Sequence, residues 1–147
     1  MARGDIDSEI SPRIMTLVED GTGAIVKGDL CILRVGKVKK ITAATDFGIY
    51  VTAIEDIAKS ATGRAIIEGI VEMDEGNDAA VTLGDVLIPS GTTLGDVKKG
   101  RTAALSSNYV LADVREHVEL NVGMAYEDIA KDGTGRVLLG HRSGRSD

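Results

Sequence analysis

The chain has 147 residues, 43% of them hydrophobic and 27% charged, and a net charge of −6. That acidic balance argues against nucleic-acid binding, which needs a basic face to displace counterions. With Phe47, Tyr50, Tyr109 and Tyr126 as its whole aromatic set, the chain also lacks the rings that base-stacking and sugar sites use.

Taken in chain order, the first twenty residues are polar with spaced aliphatics: Ile6, Ile10, Ile14 and Leu17. MARGDIDSEISPR carries no apolar signal-peptide core, so a cytoplasmic product is expected. No later apolar run approaches the roughly 20 residues that span a bilayer, so no membrane partner is expected. Arg3-Gly4-Asp5 matches an adhesion tripeptide, a length at which chance matches are common. Gly21-Thr22-Gly23 and Thr134-Gly135 read as turns whose amides also suit an anion. Short Val- and Ile-rich runs bounded by turn formers then follow at 30–35, 48–51, 65–71, 85–88 and 136–139. Their lengths predict an all-β protein of many short strands, a barrel or a sandwich. Cys31, the single cysteine, lies inside the first run and reads as a small buried hydrophobe. Ser107 to Arg115 is a helix candidate capped by Ser107, and Val118, Leu120 and Val122 alternate as a strand beyond it. The last seven residues, HRSGRSD, read as a tail, 141–147.

A duplication runs through this pattern. Ala53 to Arg64 and Ala125 to Arg136 agree at nine of twelve positions, 72 residues apart. A fainter echo relates Ala24–Ile32 to Ala80–Ile88, so the halves are expected at about 24–72 and 80–140 within a domain of 21–140. From Gly-Asp to Glu-Asp the first half spans 27 residues and the second 43, which places an insertion of 16 within Ser90 to Arg115. Two similar halves in a small sheet protein imply a pseudo-twofold barrel.

Within each phrase, Glu55-Asp56 and Glu127-Asp128 are expected to open one helical turn, where its dipole favours acids. Gly63, Gly133 and Gly135 supply turn chemistry, and Arg64 and Arg136 are placed to pair with the acids across the loop. A metal role for the acids is weaker, because hard cations want several oxygens on one compact loop. His117 and His141 have no metal-ligand spacing to each other or to Cys31. No phosphate loop, dinucleotide fingerprint or nucleophile elbow is present. The expectation is a protein without catalysis, cofactor or metal. The basic runs Arg34, Lys37, Lys39, Lys40 and Lys98, Lys99, Arg101 and the acidic stretch Glu68, Glu72, Asp74, Glu75, Asp78 read as solvated faces, or as complementary patches that steer subunits together or onto a larger surface.

Val122-Gly123-Met124-Ala125-Tyr126-Glu127-Asp128-Ile129-Ala130, followed by Gly133-Thr134-Gly135-Arg136-Val137-Leu138-Leu139, resembles the capsid decoration (cement, or head-stabilisation) proteins of tailed viruses. Lys27-Gly28-Asp29-Leu30, Glu68-Gly69-Ile70-Val71-Glu72 and Leu83-Gly84-Asp85-Val86-Leu87 extend the resemblance across residues 24–140. It implies a β-barrel or β-tulip on the exterior of an icosahedral capsid, assembled in the host cytoplasm. It also implies homotrimers that bridge major capsid protein subunits. Residues 1–20 would be an N-terminal arm adding a strand to the shell, with Ile6, Ile10, Ile14 and Leu17 as its anchors. The near-symmetric first phrase and the insertion depart from that pattern and leave trimer, dimer and monomer open. Competing readings are another viral or phage-like structural part, such as a fibre base, tail component or major shell protein, and a cellular β-barrel binding a partner or ligand. An enzyme would need Glu55 or Glu127 beside a histidine or a metal.

Overall fold

The structure is a computed structural model that describes residues 1–100 and 120–140. Among these residues ten strands form in chain order: β1 Ile6–Asp7, β2 Arg13–Val18, β3 Leu30–Arg34, β4 Lys37–Lys40, β5 Tyr50–Ala53, β6 Thr62–Asp74, β7 Val86–Pro89, β8 Val97–Lys99, β9 Gly123–Ala125 and β10 Thr134–Leu139. Among the described residues there is no helix. The candidate helix at 107–115, both histidines and the 141–147 tail lie outside them. The chain is all-β, a curled antiparallel half-barrel ordered β4-β3-β5-β6-β10-β9-β7-β8.

The spine is β6. Its first half pairs with β5 on one side and β2 on the other. Its second half pairs with β10 and β1. Between them the register against β2 slips past Ile67, where Arg13 faces Glu68 but Ile14 faces Ile66. Gly69 follows with φ of 124°, a value that side chains with a Cβ rarely adopt. One strand of 13 residues therefore turns a corner and serves two sheets.

The pairings duplicate. Val18↔Thr62 and Leu17↔Gly63 in the first half recur as Asp74↔Thr134 and Met73↔Gly135 in the second. The equivalence adds 56 to residues of β2 and the turns that follow, and 72 to residues from β5 onward. It makes β2 the counterpart of the second half of β6. Each half curls until one parallel bridge ties its first strand to its outermost one: Glu19 to Val38, and Glu75 to Val97. Those bridges divide the insertion. Asp29 to Val38 is nine steps and Asp85 to Val97 is twelve, so three extra residues enter before β8. The other thirteen fall between β8 and β9.

The cores follow the same rule. Leu17, Ile25, Cys31, Val38, Ala53, Ile57 and Ala65 fill the first half. Met73, Val81, Leu87, Val97, Ala125, Ile129 and Val137 hold the matching places in the second. The opposite face of the first half, Leu30, Ile32, Tyr50 and Ile66, joins that second cluster and welds the halves together. Alternation along β3 sends Leu30 and Ile32 one way and Cys31 the other, so a single strand serves both cores.

Candidate functional site: a duplicated clasp and the surface it holds

The repeated phrase builds a bend and a bridge rather than the expected helical turn. Ile57 and Ile25 exchange backbone bonds at 2.8 and 2.9 Å, as do Ile129 and Val81. Pairing with a distant segment extends the backbone and leaves no local turn for the acids to cap. Those acids instead act across the loop. Arg64 donates from Nε and Nη2 to Glu55 Oε1 at 3.1 and 3.0 Å, and its backbone N–H donates to Oε2. Arg136 donates from Nε to Glu127 at 3.0 Å and from its backbone at 3.1 Å. Asp56 accepts from the Lys27 N–H and Asp128 from the Leu83 N–H, each at 2.8 Å. Gly63 and Gly135 let the loop close on the two isoleucines. A Cβ on Gly135 would stand 2.5 Å from Ile129 Cγ1, and one on Gly63 nearer still to Ile57 Cγ1. At Gly133 the equivalent residue of the first copy is Ala61, and both donate to the carbonyl three residues back.

Sequence reasoning missed the centre of each clasp. Glu19 and Glu75 are 1% and 0% exposed. Glu19 accepts from the amides of Gly21, Thr22, Gly23 and Ser60. Glu75 accepts from those of Asp78, Ala79 and Asp132. Ser60 and Asp132 present those amides with φ of 62° and 60°. The Gly21-Thr22-Gly23 amides do cradle an anion, and it is the chain's own carboxylate. Besides an Ile14/Ile70 match, these 56-shifted turns share little but the glutamate, so the signal was one side chain deep.

Residues 1–20 are fastened to the domain. Arg3 lies 3.1 Å from Asp29, 3.2 Å from Asp74 and 3.0 Å from Asp96. Burial among those carboxylates pushes Asp96 up to about 6, against the pull of Arg3. Lys27 holds Asp5 at 2.6 Å and depresses its carboxyl. The Glu9 amide and then Arg136 do the same for Asp7. Glu72 is pushed the other way by burial and by Glu127. Of the proposed anchors, Leu17 is in the core of the first half and Ile6 packs against that of the second, whereas Ile10 and Ile14 are 38% and 41% exposed. Glu72 and Glu75 are buried, so the acidic stretch is not one solvated face.

Other exposed apolar side chains include Val26, Val35, Phe47, Ile49, Leu83 and Leu94. Val26 and Leu94 flank a depression lined also by Asp29, Lys40 and Ile41. Ile49, Ile67 and Val122 line a second. Among the described residues no group of three or more His, Cys, Asp or Glu is arranged to hold a metal. Burial pushes the Cys31 thiol up.

This geometry defines a duplicated, clasp-stabilised β-domain whose polar constellations are engaged with its own backbone. Over 92% of this chain and 99% of the other, the fold is similar to the head fiber gp8.5 N base of bacteriophage phi29, with a TM-score of 0.56 and 11% sequence identity. No family model matches the sequence, and no curated protein does.

Proposed function

We propose that this chain is a phage virion structural protein of the head exterior, binding the outer capsid surface and stabilising it by bridging major capsid protein subunits. The observation that carries this reading is the structural likeness to a phage head-fibre base, which runs nearly the full length of both chains. The clasps also support it. Their acids and arginines are committed to turns, which suits a domain that resists disruption rather than one that turns over a substrate. The exposed aliphatics Ile10 and Ile14 are the contact residues, and self-association as a trimer would present three such edges at a symmetry axis. Each contact then needs little affinity, since copies on a lattice act together. The role is non-catalytic and needs no cofactor.

The neighbour favours a second reading, in which the domain is a base that seats a fibre on the head. Both are tested by fractionating the native source by size and quantifying this chain by mass spectrometry. Co-sedimentation with one abundant shell protein at near-equal ratio, with a lower disruption temperature after stripping, is the decoration outcome. Far fewer copies than the shell protein, removable without loss of shell stability, is the fibre-base outcome. Elution only as a small free oligomer overturns both and returns the cellular binding module.

A further inference from the structure

The two halves treat one equivalent edge differently. In the second half the outer edge of β6 is covered by the chain's own N-terminal segment. Gly4 N–H donates to Glu72 O at 2.7 Å and Glu72 N–H to Asp5 O at 2.9 Å. Ile6 faces Val71 and Asp7 faces Ile70. Ile70 and Val71 are 0% exposed. The duplication places Ile14, Met15 and Thr16 of β2 where Ile70, Val71 and Glu72 stand. There β2 pairs with β6 alone. Ile14, the same residue type at the same position as Ile70, is 41% exposed. By that equivalence the backbone N–H and C=O groups of Ile14 and Thr16 point outward, as those of Glu72 do, and they meet no partner among the described residues.

We propose that this open edge of β2 receives an extended strand from a partner polypeptide bearing an acid–aliphatic–acid pattern, as β6 receives Asp5-Ile6-Asp7. The inference does not rest on the capsid reading. The template for the occupant is internal, and the charges agree with it. Arg136, across from Glu72, turns Nη1 to Asp7 at 3.3 Å while its Nε holds Glu127. Arg64 stands across from Thr16 in the same way. It grips Glu55 through Nε and Nη2, leaving Nη1 to meet an incoming acid, and its side chain is 57% exposed. Thr16 in place of Glu72 removes the carboxylate that would compete. An open edge of this kind is otherwise blunted by lysine, proline or a bulge facing outward. Arg13–Val18 reads RIMTLV, with Ile14, Thr16 and Val18 on the exposed side. Main-chain pairing would supply the affinity and the alternating side chains the selectivity.

The test uses a labelled synthetic peptide, ARGDIDSEIS, spanning residues 2–11, titrated into the full chain. Expected are saturable anisotropy and amide shifts at 13–18 and Arg64. Thr16→Pro removes an outward N–H but no bond to β6, and Ile14→Asp sets a like charge opposite the incoming acid on an exposed site. Each should weaken binding about tenfold or more, and a peptide with lysine in place of both aspartates should not bind. No shift at 13–18 with about 1 mM peptide overturns the proposal. So do shifts confined to 70–72, which would mean exchange for the chain's own segment. Peptide-independent self-association that Thr16→Pro abolishes would also overturn it, because the occupant would then be a second copy.

Discussion

Glu75→Gln tests whether the buried carboxylates hold the clasps. The replacement is isosteric, so it opens no cavity and changes only what one oxygen offers. Glu75 Oε1 accepts from Asp132 at 2.7 Å and Asp78 at 3.2 Å, and Oε2 from Asp78 at 2.9 Å and Ala79 at 3.3 Å. A glutamine that keeps the short bond to Asp132 turns its NH2 toward the Asp78 and Ala79 amides, donor against donor. Two charge-assisted bonds are weakened or lost, and at least one buried donor is left unpartnered. With bonds to charged groups at roughly 1.5–3 kcal/mol and an unsatisfied group at 1–3, the expected cost is about 3 kcal/mol. For a chain of this size that lowers Tm by about 10 °C. Urea denaturation gives the energy and differential scanning calorimetry the midpoint. Glu19→Gln is expected to cost at least as much, since Glu19 accepts from the equivalents of those amides and from Gly21 besides. The control is Glu127→Gln at a half-exposed pair, where about 1 kcal/mol or less is at stake. A Glu75→Gln cost below about 0.5 kcal/mol would refute the reasoning.

Gly135→Ala places a methyl 2.5 Å from Ile129 Cγ1 and is expected to destabilise by about 1–3 kcal/mol, as overpacking does. Adding Ile129→Ala should then cost less than the two single changes summed, and a double-mutant cycle by chemical denaturation checks this. The same cycle on Gly63 and Ile57 should behave alike. Asp96 gives a pH dependence with a definite sign. Its folded value of about 6 lies above the ordinary 3.8 of an aspartate, so the folded state binds the proton more tightly than the unfolded one. Its contribution is complete below about pH 4 and is lost as pH rises through 6. Asp96→Asn should therefore gain stability relative to the parent between pH 5 and 7.5, read as a growing difference in Tm. A difference that shrinks over that range would be the wrong sign.

How much of this was legible in the sequence depends on the range of the forces involved. Runs such as 30–35 and 136–139 announced β3 and β10, because apolar β-branched residues between turn formers have few other options. The Glu–Arg pairing across each repeated loop was also readable, since nine residues separate the partners. The helical turn at Glu-Asp-Ile-Ala was misread because its competitor, an antiparallel bridge to Ile25 or Val81, lies some 30 to 50 residues upstream. Residues 13–18 show the same difficulty. Read as part of an arm, they pair along the first half of β6, and only that long-range register reveals them as counterparts of 69–74.

The sequence by itself determined the composition class, the short-strand character, the existence of a repeat and the chemistry of its turns. These are local matters: side-chain shape, backbone preference and charge acting over a few residues. The tertiary structure alone decided that one strand serves both halves, that Glu19 and Glu75 answer to distant amides, and that the N-terminal segment covers one edge while its equivalent stays open. Ile14 and Ile70 state the difference most simply. They are the same residue at the same place in the repeat, yet one is 41% exposed and the other 0%, because a sheet edge is buried or open according to which remote segment the fold brings beside it.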